Sequence, residues 1–163
     1  MWLDLERDKP IVLIAEPGRE LEAATRLGRI GFDAVAGYLE GGMQALETHP
    51  ELVRRTERLT VATLAEQLAT AVPPVVLDVR TPREWQSKHI AGSLNVPLNQ
   101  LPRRVQEIPR QTPLVLHCQS GYRSAIAASL LERHGITCAD LVGGFAAWEA
   151  SQLAVVGAEA GSA

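Results

Sequence analysis

Cysteine is nearly absent from this chain: Cys118 and Cys138 are the only two in 163 residues. Two thiols make no disulfide framework, so a reducing, cytoplasmic setting is expected. Lysine is as scarce, limited to Lys9 and Lys88, and the net charge is −3. That balance offers no field for nucleic acid, and Arg54-Arg55 and Arg103-Arg104 are short pairs that read as solvated faces. No apolar run approaches the ~20 residues that span a bilayer, so no membrane partner is expected. The first ten residues are charged throughout and do not read as a signal peptide. His49, His89, His117 and His134 show no ligand spacing, and there is no Cys-x-x-Cys; neither a metal site nor a cofactor is expected. What remains is 46% apolar, enough for one ordinary globular domain with some chain left over.

The densest chemistry lies in Cys118-Gln119-Ser120-Gly121-Tyr122-Arg123. Cys118 ends the apolar run Pro113-Leu114-Val115-Leu116-His117, and a helical pattern follows from Ser124 to His134. A thiol between the C-terminal end of a buried strand and a helix N-terminus faces backbone N–H groups and a field that favours an anion. Such a place lowers a cysteine pKa from about 8.5 and yields a nucleophilic thiolate. Gly121 can take the positive φ that a tight loop around the sulfur needs. Arg123 supplies a planar cation suited to an oxyanion. His117 precedes Cys118 in a strand, so its side chain points to the opposite face and reads as packing. Cys138 reads as a small core residue, with a resolving thiol for Cys118 as the alternative.

Two stretches of the chain resemble each other. Pro10-Ile11-Val12-Leu13-Ile14-Ala15-Glu16-Pro17-Gly18 lines up with Pro113 to Gly121, about 103 residues later, with Ala15 where the second copy has Cys118. Each is followed by an amphipathic helix (Leu21 to Ile30, Ser124 to His134), a short apolar strand, a Gly-Gly pair (Gly41-Gly42, Gly143-Gly144) and another helix. Between them, Glu51 to Arg58 reads as a linker. Thr60 caps a helix over Val61 to Thr70, which Pro73-Pro74 stops, and Val75 to Asp78 is a buried strand. Thr81-Pro82-Arg83-Glu84 is a capping box with proline at the first helical position. A strand at Leu94 to Val96 and a helix over Leu98 to Glu107 follow. Val155 to Ala163 is expected to fray. Strands alternating with helices give an α/β fold whose parallel sheet has helices on both faces, with ligands bound beyond the C-terminal strand ends.

Four segments, in order, resemble the rhodanese (sulfurtransferase) family over roughly residues 59 to 150. They are Leu77-Asp78-Val79-Arg80-Thr81-Pro82-Arg83-Glu84-Trp85, His89-Ile90-Ala91-Gly92-Ser93-Leu94-Asn95-Val96-Pro97, the Cys118 loop, and Gly143-Gly144-Phe145-Ala146-Ala147-Trp148. The resemblance implies a rhodanese-like domain over 59–150. Before it come a partial, cysteine-less rhodanese-like unit over 1–50 and a linker over 51–58; a flexible tail over 151–163 follows. It implies a sulfurtransferase in which Cys118 takes sulfane sulfur from a donor such as thiosulfate or a persulfide and passes it to a thiophilic acceptor. Arg123, Gln119, Ser120, Gly121 and Tyr122 would bind substrate, with Asp78 and Arg80 supporting the loops.

The alternative is a non-catalytic docking or regulatory module. A cysteine-less unit followed by an active one, with Gly37-Tyr38-Leu39-Glu40-Gly41-Gly42-Met43, also resembles the C-terminal part of fusions that carry a metallo-β-lactamase-fold hydrolase. Such a hydrolase, upstream or as a separate partner, is expected alongside the small-molecule donor and acceptor; a homodimer is the other way to cover the partial unit. Cysteine-dependent phosphatases place five residues between cysteine and arginine. Here there are four, Gln119 to Tyr122, a bowl fitted to one sulfur rather than to a phosphate.

Overall fold

The computed structural model of the chain describes residues 9–157, which fall into two compact units divided between Arg55 and Thr56. The first unit holds strand β1 (Ile11–Leu13), helix α1 (Glu20–Gly28) and strand β2 (Val35–Tyr38), with β1 and β2 paired in parallel. The Gly41-Gly42 turn leads into a 3-10 helix, Gly42–Leu46, where the sequence pattern suggests an ordinary helix. Phe32 is the one fully buried large apolar side chain of this unit among the described residues. Val12, Ile14, Leu21, Ile30 and Tyr38 stay exposed.

The second unit is built on five parallel strands. Its elements in chain order are β3 (Glu57–Leu59), α2 (Val61–Leu68), β4 (Val75–Asp78), α3 (Pro82–Ser87), β5 (His89–Ile90), β6 (Leu94–Asn95), α4 (Leu101–Arg104), β7 (Leu114–His117), α5 (Tyr122–Glu132), β8 (Ala139–Leu141), α6 (Gly144–Ala150) and β9 (Val155–Val156). The sheet order is β3-β8-β7-β4-β6, so β7, which leads into the Cys118 loop, lies at the centre. The period-2 alternation of strand side chains then builds two cores. Leu77, Leu114, Leu116 and Cys118 face α4 and α5 and meet Leu101, Val105, Ala127, Ala128 and Leu131. Val76 and Val115 face the other way and meet Leu64, Leu141, Phe145 and Trp148. Each such buried aliphatic side chain contributes about 1.5–3 kcal/mol.

Several sequence expectations meet a local competitor. Residues 51–58, expected as a linker, overlap the 3-10 turn Pro50–Leu52 and the edge strand β3, which pairs with β8. The helix expected over Leu98 to Glu107 starts later and divides into α4 and a 3-10 turn, Val105–Glu107. The Leu98 amide donates to the Val79 carbonyl (3.1 Å), which holds that residue to the sheet. In the expected tail, Val155 and Val156 pair antiparallel with Ile90 and His89, and residues 158–163 lie outside the described ones. The Thr60 cap is present, its Oγ1 accepting from the Thr63 amide. The capping box is complete: the Thr81 amide and hydroxyl donate to Glu84 Oε2, and the Glu84 amide donates to Thr81 Oγ1. Among the described residues no helix is long and apolar enough to cross a membrane, and no cluster of three metal-ligating side chains occurs.

Candidate active site

Gly121, at φ 110°, turns the chain so sharply that α5 begins at Tyr122, two residues before the position the sequence pattern suggests. The consequence is chemical. Gln119, Ser120 and Gly121 alone form the loop, and the first turn of α5 brings its unpaired amides up to the sulfur. The Gly121 amide donates to Cys118 Sγ at 3.1 Å. Burial pushes the Cys118 thiol up, but hydrogen bonds from the Ser124 amide and hydroxyl and from the Gly121 and Ser120 amides outweigh it. The thiol is held below its ordinary range. The fully buried Ser124 hydroxyl has one proton to give, to the sulfur or to the Gly121 carbonyl 3.1 Å away, and either bond ties the loop to the helix.

From behind, the loop is held by the turn into α6. The Phe145 amide donates to the Cys118 carbonyl (2.8 Å) and the Ala146 amide to the Gln119 carbonyl (3.0 Å). Gly144, at φ 59°, lets that turn approach: a Cβ there would stand 2.5 Å from the Cys118 carbonyl oxygen. The first unit repeats this detail, where a Cβ on Gly42 (φ 58°) would meet the carbonyl of Ala15, the residue aligned with Cys118.

Beneath the loop lies a buried ion pair. Arg80 Nε donates to both Asp78 oxygens (3.0 and 2.9 Å), and its Nη2 donates to Asp78 Oδ2 (2.6 Å) and to the Lys88 carbonyl (2.7 Å). The guanidinium lies 3.9 Å over the Phe145 ring. Asn95 Nδ2 donates to the carbonyls of Asp78 and Arg80. Asp78 and Arg80 therefore brace the loops and do not open on the cavity. His117 is fully buried on the face opposite Cys118, stacked with Phe145 at 6.2 Å between centroids. Its Nδ1 stands 3.2 Å from the Cys118 carbonyl, which can only accept, so that nitrogen carries the proton. Burial pushes the imidazole pKa down despite Asp78 nearby, and so favours the neutral ring.

The cavity over the sulfur measures about 430 Å³ and is lined by Glu84, Cys118, Ser120, Tyr122, Arg123 and Ile126. Tyr122 is 77% exposed at its rim. Gln119 turns elsewhere, its side-chain oxygen 3.4 Å from Arg80 Nη1. Arg123 does not offer an empty fork. Its Nη1 donates to Glu84 Oε2 (2.8 Å) and its Nη2 to Glu84 Oε1 (2.7 Å). The Arg123 hydrogen bonds overcome partial burial and, with those from Thr81, hold the Glu84 carboxyl at a pKa of about 2. Glu84, which reads from the sequence only as a cap, thus reaches the site. Ser124 is the other residue that the sequence reading passes over; its signal is a hydroxyl in the first turn after the loop.

Cys138 is remote. Val115 pairs with Ala139, so Cys138 lies level with Leu114, four residues or about 13 Å along the sheet from Cys118 at ~3.3 Å per residue. That separation excludes a resolving disulfide in this fold. Burial, with Asp140 and Glu132 adding to it, pushes its thiol up to about 11.

Known proteins resemble this chain in sequence and fold. The family model described as Rhodanese-like domain matches residues 60–151. A sulfurtransferase of Allochromatium vinosum is 34% identical over 97 residues, 59% of this chain and 91% of that protein. The uncharacterized protein YqhL of Bacillus subtilis is 43% identical over 74 residues, which span 45% of this chain and only 59% of the relative. The crystal structure of a thiosulfate sulfurtransferase from Pseudomonas aeruginosa superposes with a TM-score of 0.59 at 27% identity, covering 94% of this chain and 33% of that one.

Proposed function

This chain belongs to the rhodanese-like domain family, and from that membership we propose that it is a sulfurtransferase which carries sulfane sulfur as a persulfide on Cys118. The observation that carries the reading is the loop itself: a buried sulfur with the Gly121 amide at 3.1 Å and further donors from Ser120 and Ser124. Each hydrogen bond to a charged group is worth roughly 1.5–3 kcal/mol, so several outweigh the helix-end field of about 0.3–1 kcal/mol. The thiolate attacks the outer sulfur of a donor such as thiosulfate or a hydropersulfide. The donor S–S bond breaks, its electron pair leaves with sulfite or a thiolate, and Cys118 keeps the sulfur. With thiosulfate the balance is one thiolate and one dianion giving one persulfide anion and sulfite. An acceptor nucleophile then takes the terminal sulfur and releases the Cys118 thiolate. No general base is needed once the acidified thiol has lost its proton, because the donor's leaving groups are stable anions.

Residues 9–55 read best as the C-terminal half of a second, cysteine-less unit of the same kind. Supporting this are the parallel β1–α1–β2 order, the sheet that stops at two strands, and the Gly42 approach to Ala15 that repeats Gly144 on Cys118. A metallo-β-lactamase-fold hydrolase is the partner we propose for the whole. A His-x-His-x-Asp-His run in flanking coding sequence would support it, and a hydrolase-free neighbourhood would not.

The test of the transferase reading is sulfur loading. Wild type and Cys118→Ser are incubated with thiosulfate or with a hydropersulfide, then with cyanide. Wild type gains one sulfur at Cys118 and yields thiocyanate, and the variant does neither. No sulfur at Cys118 from either donor would favour a docking module instead.

A further inference from the structure

The cation at the mouth of the site is already neutralised, and this bears on which donor the site accepts. Each terminal nitrogen of Arg123 gives an N–H to Glu84, at 2.8 and 2.7 Å, so the carboxylate offsets the charge of a guanidinium that also reaches the Cys118 sulfur. Glu84 is itself fixed by the Thr81 amide (2.9 Å) and hydroxyl (2.7 Å) at the start of α3, so the carboxylate cannot easily swing aside. The rest of the lining is the Tyr122 ring, the Ile126 side chain and Ser120. The volume of about 430 Å³ is far larger than one sulfur oxyanion needs. A dianion entering here meets the Cys118 thiolate and the Glu84 carboxylate against a single guanidinium. Two like charges lining the same cavity raise the energy of such an approach, and partial burial keeps screening incomplete.

We propose that Glu84 is a specificity residue: by occupying Arg123 it disfavours dianionic donors and selects sulfane sulfur carried on a thiol, R–S–SH. This rests on the transferase reading above and narrows it. The sulfur-bearing end of a hydropersulfide carries at most one negative charge, and none in the protonated form that reacts, and its carbon skeleton can lie against Tyr122 and Ile126. The step balances without any oxidant. The Cys118 thiolate attacks the terminal sulfur, the S–S bond of R–S–SH breaks, and the electron pair leaves with R–S⁻. The proton stays on the transferred sulfur, giving Cys118–S–SH. Glu84 acts through Arg123 and does not itself touch the reacting atoms, so it is a positioning residue.

The test measures the rate of sulfur loading on Cys118, quenched by alkylation and read by mass spectrometry, with thiosulfate and with cysteine hydropersulfide as the two donors. Glu84→Gln keeps a side chain that can complete the capping box but removes the charge. The variant is expected to shift the ratio of thiosulfate to hydropersulfide loading about tenfold toward thiosulfate. In wild type, raising salt is expected to speed thiosulfate loading, as screening does for like charges, and to change hydropersulfide loading less. An unchanged ratio in Glu84→Gln, or thiosulfate loading that slows with salt, overturns the assignment while leaving the transferase intact. The salt series decides the matter if the variant does not fold. Loading from neither donor would overturn the transferase reading and this one with it.

Discussion

Replacing Gly144 by alanine should damage stability and chemistry together, because one turn serves both. At φ 59° an L-residue costs about 1–2 kcal/mol over glycine. The new Cβ would stand 2.5 Å from the Cys118 carbonyl oxygen and 2.9 Å from that of Gln119, so one backbone or the other must retreat. Retreat stretches the Phe145 and Ala146 amide bonds to those two carbonyls (2.8 and 3.0 Å), each worth roughly 0.5–1.5 kcal/mol. The expected loss is about 2–5 kcal/mol in urea denaturation. The same carbonyls flank the loop whose Gly121 amide holds the sulfur at 3.1 Å, so the thiol should also become less acidic, moving the pH inflection of its alkylation upward. Gly42→Ala is the matched comparison: its Cβ would meet the Ala15 carbonyl in the first unit, costing stability there without shifting the Cys118 inflection. A Gly144→Ala protein with wild-type stability and an unshifted inflection would refute the reasoning.

Ser124→Ala removes one hydroxyl donor from the thiolate and should raise its pKa, slowing sulfur loading at neutral pH roughly tenfold while loading at high pH recovers; equal slowing at all pH values would contradict this. Asp78→Ala leaves the Arg80 guanidinium buried without its carboxylate, and denaturation should show a loss of about 3–5 kcal/mol; a change under about 1 kcal/mol would contradict it. The Glu84 carboxyl is lowered in the fold from 4.5 to about 2, so its contribution is complete above 4.5 and disappears as pH falls toward about 2. The stability gap between wild type and Glu84→Gln should therefore be full at neutral pH and close across that acid window; a gap that widens there would refute the assignment.

Where the sequence was legible, one residue type at one place had no competing explanation. Val75–Asp78 and Leu114–His117 are apolar runs bounded by prolines and turns, and they become the central strands β4 and β7. The Thr81–Glu84 box fixed the start of α3 to the residue. Cys118 followed from its position after β7. What stayed hidden depends on contacts far apart in the chain. Glu84 fully satisfies a local role as a cap, so nothing in its neighbours points 39 residues on to Arg123. Gln119 looks like a substrate contact until Arg80 is seen to draw its side chain away. The helix expected from Leu98 gave way to a single amide bond from that residue to Val79, which no local pattern records. Val155 and Val156 read as tail in the sequence because their partner strand, His89–Ile90, is two residues long and carries no periodic signal.

The most direct measurement of the central claim is the rate of alkylation of each cysteine as a function of pH, followed by mass spectrometry of the two peptides. Cys138 serves as the internal reference, with an inflection near 11. Cys118 should inflect below the ordinary thiol value of about 8.5 and react as a thiolate at neutral pH. A Cys118 inflection at or above that value would contradict the account.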